Sequence, residues 1–135
     1  MVLLGLASLV TIGVDQAVKA LVLRHIRLAE SRPCSRWWKL RAHRGRGLVL
    51  RFPLSFAALA WALASAIGVG WALVSFPDDT TLACTGAALG GAAGNFADKL
   101  FRGAIIDFIV VWRKSFNLAD VAIIAGIAGV LLSMV

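Results

Sequence analysis

Apolar residues run through this chain in long blocks rather than in alternation. Val2–Leu23 is apolar apart from a few polar positions, and Asp15 and Lys19 stand four apart within it. At that spacing they share one helix face, with the acid first, which is the favourable order for an ion pair. Phe52–Phe76 runs 25 residues without a charge, against the roughly 20 that a helix needs to span a bilayer core. Two further blocks, about 81–98 and 117–135, are apolar and rich in small residues. The pattern predicts four spanning helices, at about 2–23, 54–76, 81–98 and 117–135.

Punctuation between the blocks agrees with this division. Pro53 is acceptable in the first turn of the second helix. The turn "PDDT", Pro77–Thr80, offers N-cap residues for the third. Within the third block Gly86, Gly90 and Gly94 recur at every fourth position, and the last block carries Ala122/Gly126 and Ala125/Gly129. Such spacing lays a stripe of small residues along one helix face, where a neighbouring backbone can approach closely.

The linkers are unequal. Residues 24–53 form a long basic segment with Trp37 and Trp38, partly alternating and broken by Gly45 and Gly47. A small sheet with indoles at head-group level is one reading, and a solvated basic loop is the other. Residues 99–116, "KLFRGAIIDFIVVWRKSF", have a β-branched apolar centre around Asp107 and basic flanks. That stretch is too short and too broken to span, and it reads as an extended or re-entrant segment at the interface.

Composition narrows the class. At 135 residues there is room for one domain, residues 1–135. With 60% hydrophobic and 16% charged residues and a mean hydropathy of +0.85, an ordinary soluble domain is excluded. Lipid tolerates helices or closed barrels, and the block lengths favour an all-α membrane protein with a small, β-containing extracytoplasmic loop region. The net charge of +7 is concentrated: nine of fourteen basic residues fall in Arg24–Arg51 against a single acid, Glu30. In this setting the basic segment suits anionic lipid head groups rather than nucleic acid. The first 14 residues lack a basic leader and a small-residue cleavage site, and they read as the start of a retained helix.

Cysteine and histidine add little. Cys34 and Cys84 have no paired spacing, one falling in a loop and the other in a span, so no disulfide is expected. Cys84 reads as a small core residue. His25 and His43 lie in basic stretches and read as solvated loop residues. No metal and no cofactor is expected.

The chemistry-bearing residues are the acids and amides between 95 and 120. "NFAD" (95–98) and "NLAD" (117–120) enclose Asp107 in "AIIDF". An ionisable residue in or beside a membrane is a functional candidate by default. Apolar neighbours disfavour the charged form of Asp107. Asn117 and Asp120 stand three apart, on one face of a helix start, where the dipole favours an anion. Two carboxylates in unlike environments can share a proton, one acting as base and the other as acid, and so activate water for peptide hydrolysis. Asp120 could instead only cap its helix, and Asp98 could end the third helix in an ion pair with Lys99 or Arg102, which is the reading favoured for Asp98. Membrane carboxylates also serve proton and cation pathways, and a small proton-linked carrier stays open on these grounds.

Taken in order, these residues resemble signal peptidase II, the lipoprotein signal peptidase family. Gly94-Asn95-Phe96-Ala97-Asp98-Lys99 is similar to G-N-x-x-D-R, Gly103–Phe108 to G-x-V-x-D-F, and Phe116–Asp120 to F-N-x-A-D. "DQAVK", Asp15–Lys19, resembles D-Q-x-x-K in the first span. Two departures stand out. Lys99 replaces an arginine, which keeps the charge and loses the bidentate fork, and Gly45 falls where the family has an asparagine.

The resemblance implies a four-span inner-membrane aspartyl endopeptidase that removes the signal peptide of a prolipoprotein just before its diacylglyceryl cysteine. It implies Asp107 and Asp120 as the catalytic pair. Asn95, Asn117 and Lys99 are implied as substrate-binding, and Asp98, Asp15 and Lys19 as supporting residues. It places the 24–53 and 99–116 linkers and the active site outside, whereas loop charge alone would put both basic linkers inside. Expected partners are the diacylglyceryl prolipoprotein and membrane lipid, with the protein a monomer. A catalytically weak homologue that binds lipidated peptide or an antibiotic ligand is the alternative that Gly45 and Lys99 motivate.

Overall fold

The computed structural model describes residues 1–26, 31–33, 38–45, 67–68, 70–71, 74, 78–112 and 114–133. Among the described residues three long helices pack side by side, and a four-stranded sheet closes one end. In chain order these are α1 (Val2–His25), β1 (Ser31–Pro33), β2 (Trp38–Gly45), α2 (Asp79–Arg102), β3 (Ile105–Val111), β4 (Lys114–Phe116) and α3 (Leu118–Leu132). The expected second span, 54–76, lies almost wholly outside the described residues; helical backbone is seen at 67–68, 70–71 and 74. Among the described residues α1 is the one helix both long and apolar enough to cross a membrane by itself, and α3 is apolar but shorter.

Local chemistry sets the ends of α2. Asp78 is its N-cap, and the carboxylate accepts from Thr80 N at 3.1 Å and Thr81 N at 3.2 Å. Gly103 ends it with φ +70°, a conformation that costs a glycine little. The helix therefore runs four residues beyond the expected 98, and the linker after it is shorter and mostly strand, β3 and β4. Leu118 opens α3 behind an Asn117 N-cap.

The glycine stripe works as a contact face. A Cβ at Gly90 would lie 2.5 Å from Ser8 O on α1, and one at Gly126 would lie 2.5 Å from Cys84 O on α2. Backbones at that separation admit no side chain. Two hydrogen bonds tie the helices laterally: Ser8 Oγ to Gly86 O and Thr81 Oγ1 with Ser133 Oγ, both at 2.8 Å. Cys84 is half-buried in this α2–α3 contact and is a free thiol.

The sheet is antiparallel throughout, in the order β1-β2-β3-β4. Its β2 arm realises the sheet reading of the basic linker, and β3 and β4 realise the extended reading of 99–116. Strand alternation turns Ile106 and Phe108 into the core, at 1% and 4% exposure, and Asp107 to the opposite face. His43 is a strand residue rather than a loop one, paired in register with Asp107. His25 is the last residue of α1, with Nδ1 2.9 Å from Leu21 O. Cys34, Trp37 and Gly47 lie outside the described residues.

Candidate active site

Short connections bring the acids together. Only Gly103 and Ala104 separate α2 from β3, and Asn117 alone separates β4 from α3. The end of α2, the middle of β3 and the start of α3 therefore meet, and with them Asn95, Asp107, Asn117 and Asp120.

Asn117 is the hub. Its side chain accepts from Asp120 N at 3.0 Å, and Asp120 Oδ2 accepts from Asn117 N at 3.2 Å. This is a reciprocal capping box. The same Asn117 amide donates through Nδ2 to Asp107 Oδ1 at 2.9 Å and to Asn95 Oδ1 at 3.1 Å. Asn95 Nδ2 in turn donates to Asp120 Oδ1 at 2.8 Å. Capping and site membership, which the sequence offers as alternatives for Asp120, are held by the two oxygens of one carboxylate.

Asp107 is half-buried. Desolvation, and then the charge of nearby Asp120, hold its carboxyl above the ordinary carboxylate range, against opposing hydrogen bonds from Asn117 and Ser115. The Ser115 hydroxyl lies 3.4 Å from Asp107 Oδ2, a long contact.

Beneath the acids lies a second polar layer. Lys19 is fully buried, and its ammonium reaches Asp15 Oδ2 and Asp98 Oδ2, each at 2.7 Å, and Asn95 Oδ1 at 3.2 Å. Asp15 Oδ1 accepts from Ala119 N at 3.0 Å, which ties α1 to the first turn of α3. Asp98 accepts from Ile106 N at 3.2 Å, fixing β3, and forms an ion pair with Arg102 one turn along α2. Of the two bases expected as partners of Asp98, Arg102 pairs with it, and Lys19 of α1 is a further partner. Gly94 leaves the space that Asp15 fills: a Cβ there would sit 2.8 Å from Asp15 Oδ2. Lys99 is half-buried and follows Asn95 by one turn on the same face of α2.

Gln16 escaped assignment from the sequence. Its Nε2 lies 3.1 Å from both Asp98 Oδ1 and Gly94 O, and its Oε1 accepts from Arg102 at 2.6 Å. Its place directly after Asp15 in "DQAVK" was the only signal. Among the described residues no three His, Cys, Asp or Glu side chains are grouped to hold a metal ion.

Helices closed at one end by a sheet, with two acids bonded to Asn117 at the junction, make a fold that this chain shares with a solved protein. It superimposes with a TM-score of 0.81 on a bacterial membrane enzyme solved by the in meso method at 2.3 Å, over 96% of this chain and 85% of that one, at 18% identity. The signal peptidase (SPase) II family model matches residues 7–135. The chain is 31% identical over 140 residues to the lipoprotein signal peptidase of Halalkalibacterium halodurans, covering 96% of this chain and 90% of that protein. It is 34% identical over 134 residues to the lipoprotein signal peptidase of Geobacter sulfurreducens, covering 90% and 84%. The chain belongs to the signal peptidase II family and is a protease of the lipoprotein signal peptidase type. The carrier reading is set aside.

Proposed function

We propose that this protein is a four-span inner-membrane aspartic endopeptidase with Asp107 and Asp120 as its catalytic pair. Its substrate is a diacylglyceryl prolipoprotein, cut just before the lipidated cysteine. The observation that carries the reading is that one residue, Asn117, bonds to both carboxylates, to Asp107 through its side-chain N–H and to Asp120 through its backbone N–H, while their environments differ. Asp107, with its raised carboxyl, holds the proton; Asp120 is the acceptor.

The steps follow from that assignment. Asp120 takes a proton from a water, and the water oxygen attacks the scissile carbonyl. The tetrahedral intermediate collapses as the Asp107 carboxyl protonates the leaving amine. The products are the freed signal peptide and a lipoprotein that begins at its lipidated cysteine.

Asn95, Asn117 and Lys99 border the pair and are the proposed substrate contacts. The hydrogen bonds among the described residues use both N–H groups of Asn117 and one of Asn95. That leaves one Asn95 N–H for a substrate carbonyl. A site at the extracytoplasmic interface lets the diacyl chains stay in lipid while the peptide reaches the acids. The protein works as a monomer surrounded by lipid.

Cleavage of a diacylglyceryl prolipoprotein by the purified protein in detergent tests the assignment. Wild type is expected to release the signal peptide and Asp107→Asn to leave the precursor intact. Wild-type turnover by Asp107→Asn would end the acid-pair reading.

A further inference from the structure

Lys19 does more than close a charge cluster. An ammonium has three N–H donors and no acceptor. Here the three meet Asp15, Asp98 and the side-chain oxygen of Asn95. The group facing Lys19 from Asn95 must therefore be the oxygen.

The other partners of Asn95 obey the same direction. Its oxygen also accepts from Asn117 Nδ2, and its nitrogen donates to Asp120. Turning the amide over would set its NH₂ against the Lys19 ammonium and the Asn117 NH₂, and its oxygen against the Asp120 carboxylate. All three contacts would become repulsive. The charges beneath the acids also balance, with Asp15 and Asp98 against Lys19 and Arg102. The cluster is therefore close to neutral, and it reaches Asp120 through donor direction.

We propose that Lys19 is a positioning residue for catalysis: by fixing the orientation of the Asn95 amide, it directs an N–H at Asp120 and makes that carboxylate the acceptor of the pair. The inference rests on the acid-pair reading above. Lys19 is fully buried, and it reaches Asp120 through Asn95.

Removing Lys19 alone would leave Asp15 and Asp98 short of a buried partner, and that variant can fail to fold. The test is the double variant Lys19→Met/Asp15→Asn. It keeps the layer neutral through Asp98 and Arg102, and it leaves an oxygen at position 15 for Ala119 N. Turnover of diacylglyceryl prolipoprotein is measured across pH, with thermal unfolding of the same detergent-solubilised samples and Asp107→Asn alongside.

The expected result is a folded protein whose kcat falls by about ten- to a hundredfold, the range for displaced supporting groups. KM rises at the same time, because the released Asn95 amide also withdraws the N–H proposed for the substrate carbonyl. The acidic limb of the kcat/KM profile moves to higher pH, because the freed amide can turn its oxygen to Asp120. Lys19→Arg, which retains donors toward Asn95, is expected to recover part of the kcat.

A folded double variant with wild-type kcat and an unmoved profile overturns the inference. So does a kcat loss that only tracks lost folded protein. In either case an inactive Asp107→Asn leaves the acid-pair reading standing, whereas an active one removes that reading itself.

Discussion

Asn95 Nδ2 lies 2.8 Å from Asp120 Oδ1, so the amide of one Asn-x-Ala-Asp sequence holds the acid of the other. The two copies are not equivalent. In the first, Asn95 faces the acid pair and Asp98 is buried with Lys19 and Arg102. In the second, Asn117 and Asp120 start a helix, and Asn117 joins Asp120 to Asp107.

The two catalytic candidates are expected to differ in stability when neutralised, although both lose activity. Asp120→Asn places an NH₂ against the Asn95 NH₂ or gives up the contact to Asn117 N. Either way the capping box weakens, at about 1 kcal/mol. Asp107→Asn removes a carboxylate that burial disfavours and is expected to be neutral or stabilising. Both should lose more than about a thousandfold in kcat, as removal of a group from a coupled catalytic unit does. Cleavage assays paired with thermal unfolding check this; equal destabilisation by the two variants would contradict it.

The raised Asp107 carboxyl makes a signed prediction about pH. Burial and the Asp120 charge raise it, while Asn117, Ser115 and Lys19 act the other way. Above pH 3.8, the ordinary value for this carboxyl, the folded state then holds a proton that the unfolded state has released. Stability contributed by this group is therefore fully present at low pH and falls as pH rises through the raised folded value. The Tm difference between Asp107→Asn and wild type should widen in favour of the variant over that window. A difference independent of pH would show that Asp107 does not titrate there.

Sequence made the candidate residues legible far better than their arrangement. Asp107 stood out because no base or cap explains an acid in "AIIDF". The Asp15–Lys19 pair followed from i, i+4 spacing, and the sheet was visible as alternation around Gly45. What could not be read was long-range geometry. Asp15 with Ala119 N, and Lys19 with Asn95, join residues 104 and 76 apart. Beyond its place in "DQAVK", nothing local marks Gln16 as a bridge, because Gly94, Asp98 and Arg102 reach it from α2. The end of α2 lies four residues past the expected 98, where the Arg102–Asp98 pair and the Gly103 turn fix it.

Asn117 offers a separation of helix start from chemistry. Asn117→Asp keeps a side-chain oxygen for Asp120 N and so keeps that half of the cap. It removes the Nδ2 donor shared by Asp107 and Asn95 and adds a third carboxylate beside the pair. Activity is expected to fall by at least about a hundredfold, the scale for one oriented donor, with little change in Tm at acid pH. Asn117→Ala loses donor and cap together and should add about 1 kcal/mol of destabilisation. If the aspartate variant turns over substrate normally, Asn117 is a cap and nothing more.

The glycine contacts make the remaining prediction, and it concerns assembly of the site rather than its chemistry. Asp15 on α1 reaches Ala119 on α3 only because α2 lies close to both. At Gly90 an added Cβ would meet Ser8 O at 2.5 Å and Ser8 Cα at 2.9 Å, both backbone atoms that cannot rotate away. Gly90→Ala should therefore push α1 from α2 and cost about 1–3 kcal/mol, the usual range for overpacking. Gly13 on α1 has nothing within 4 Å of an added Cβ. Gly13→Ala should be neutral or stabilise by up to about 1 kcal/mol through helix propensity. Because the α1–α2 contact also carries Lys19 to Asn95, Gly90→Ala should lose activity as well as Tm, while Gly13→Ala loses neither. Unfolding and cleavage measured on the two variants check the pair; similar behaviour in both would mean that close helix approach does not hold the site together.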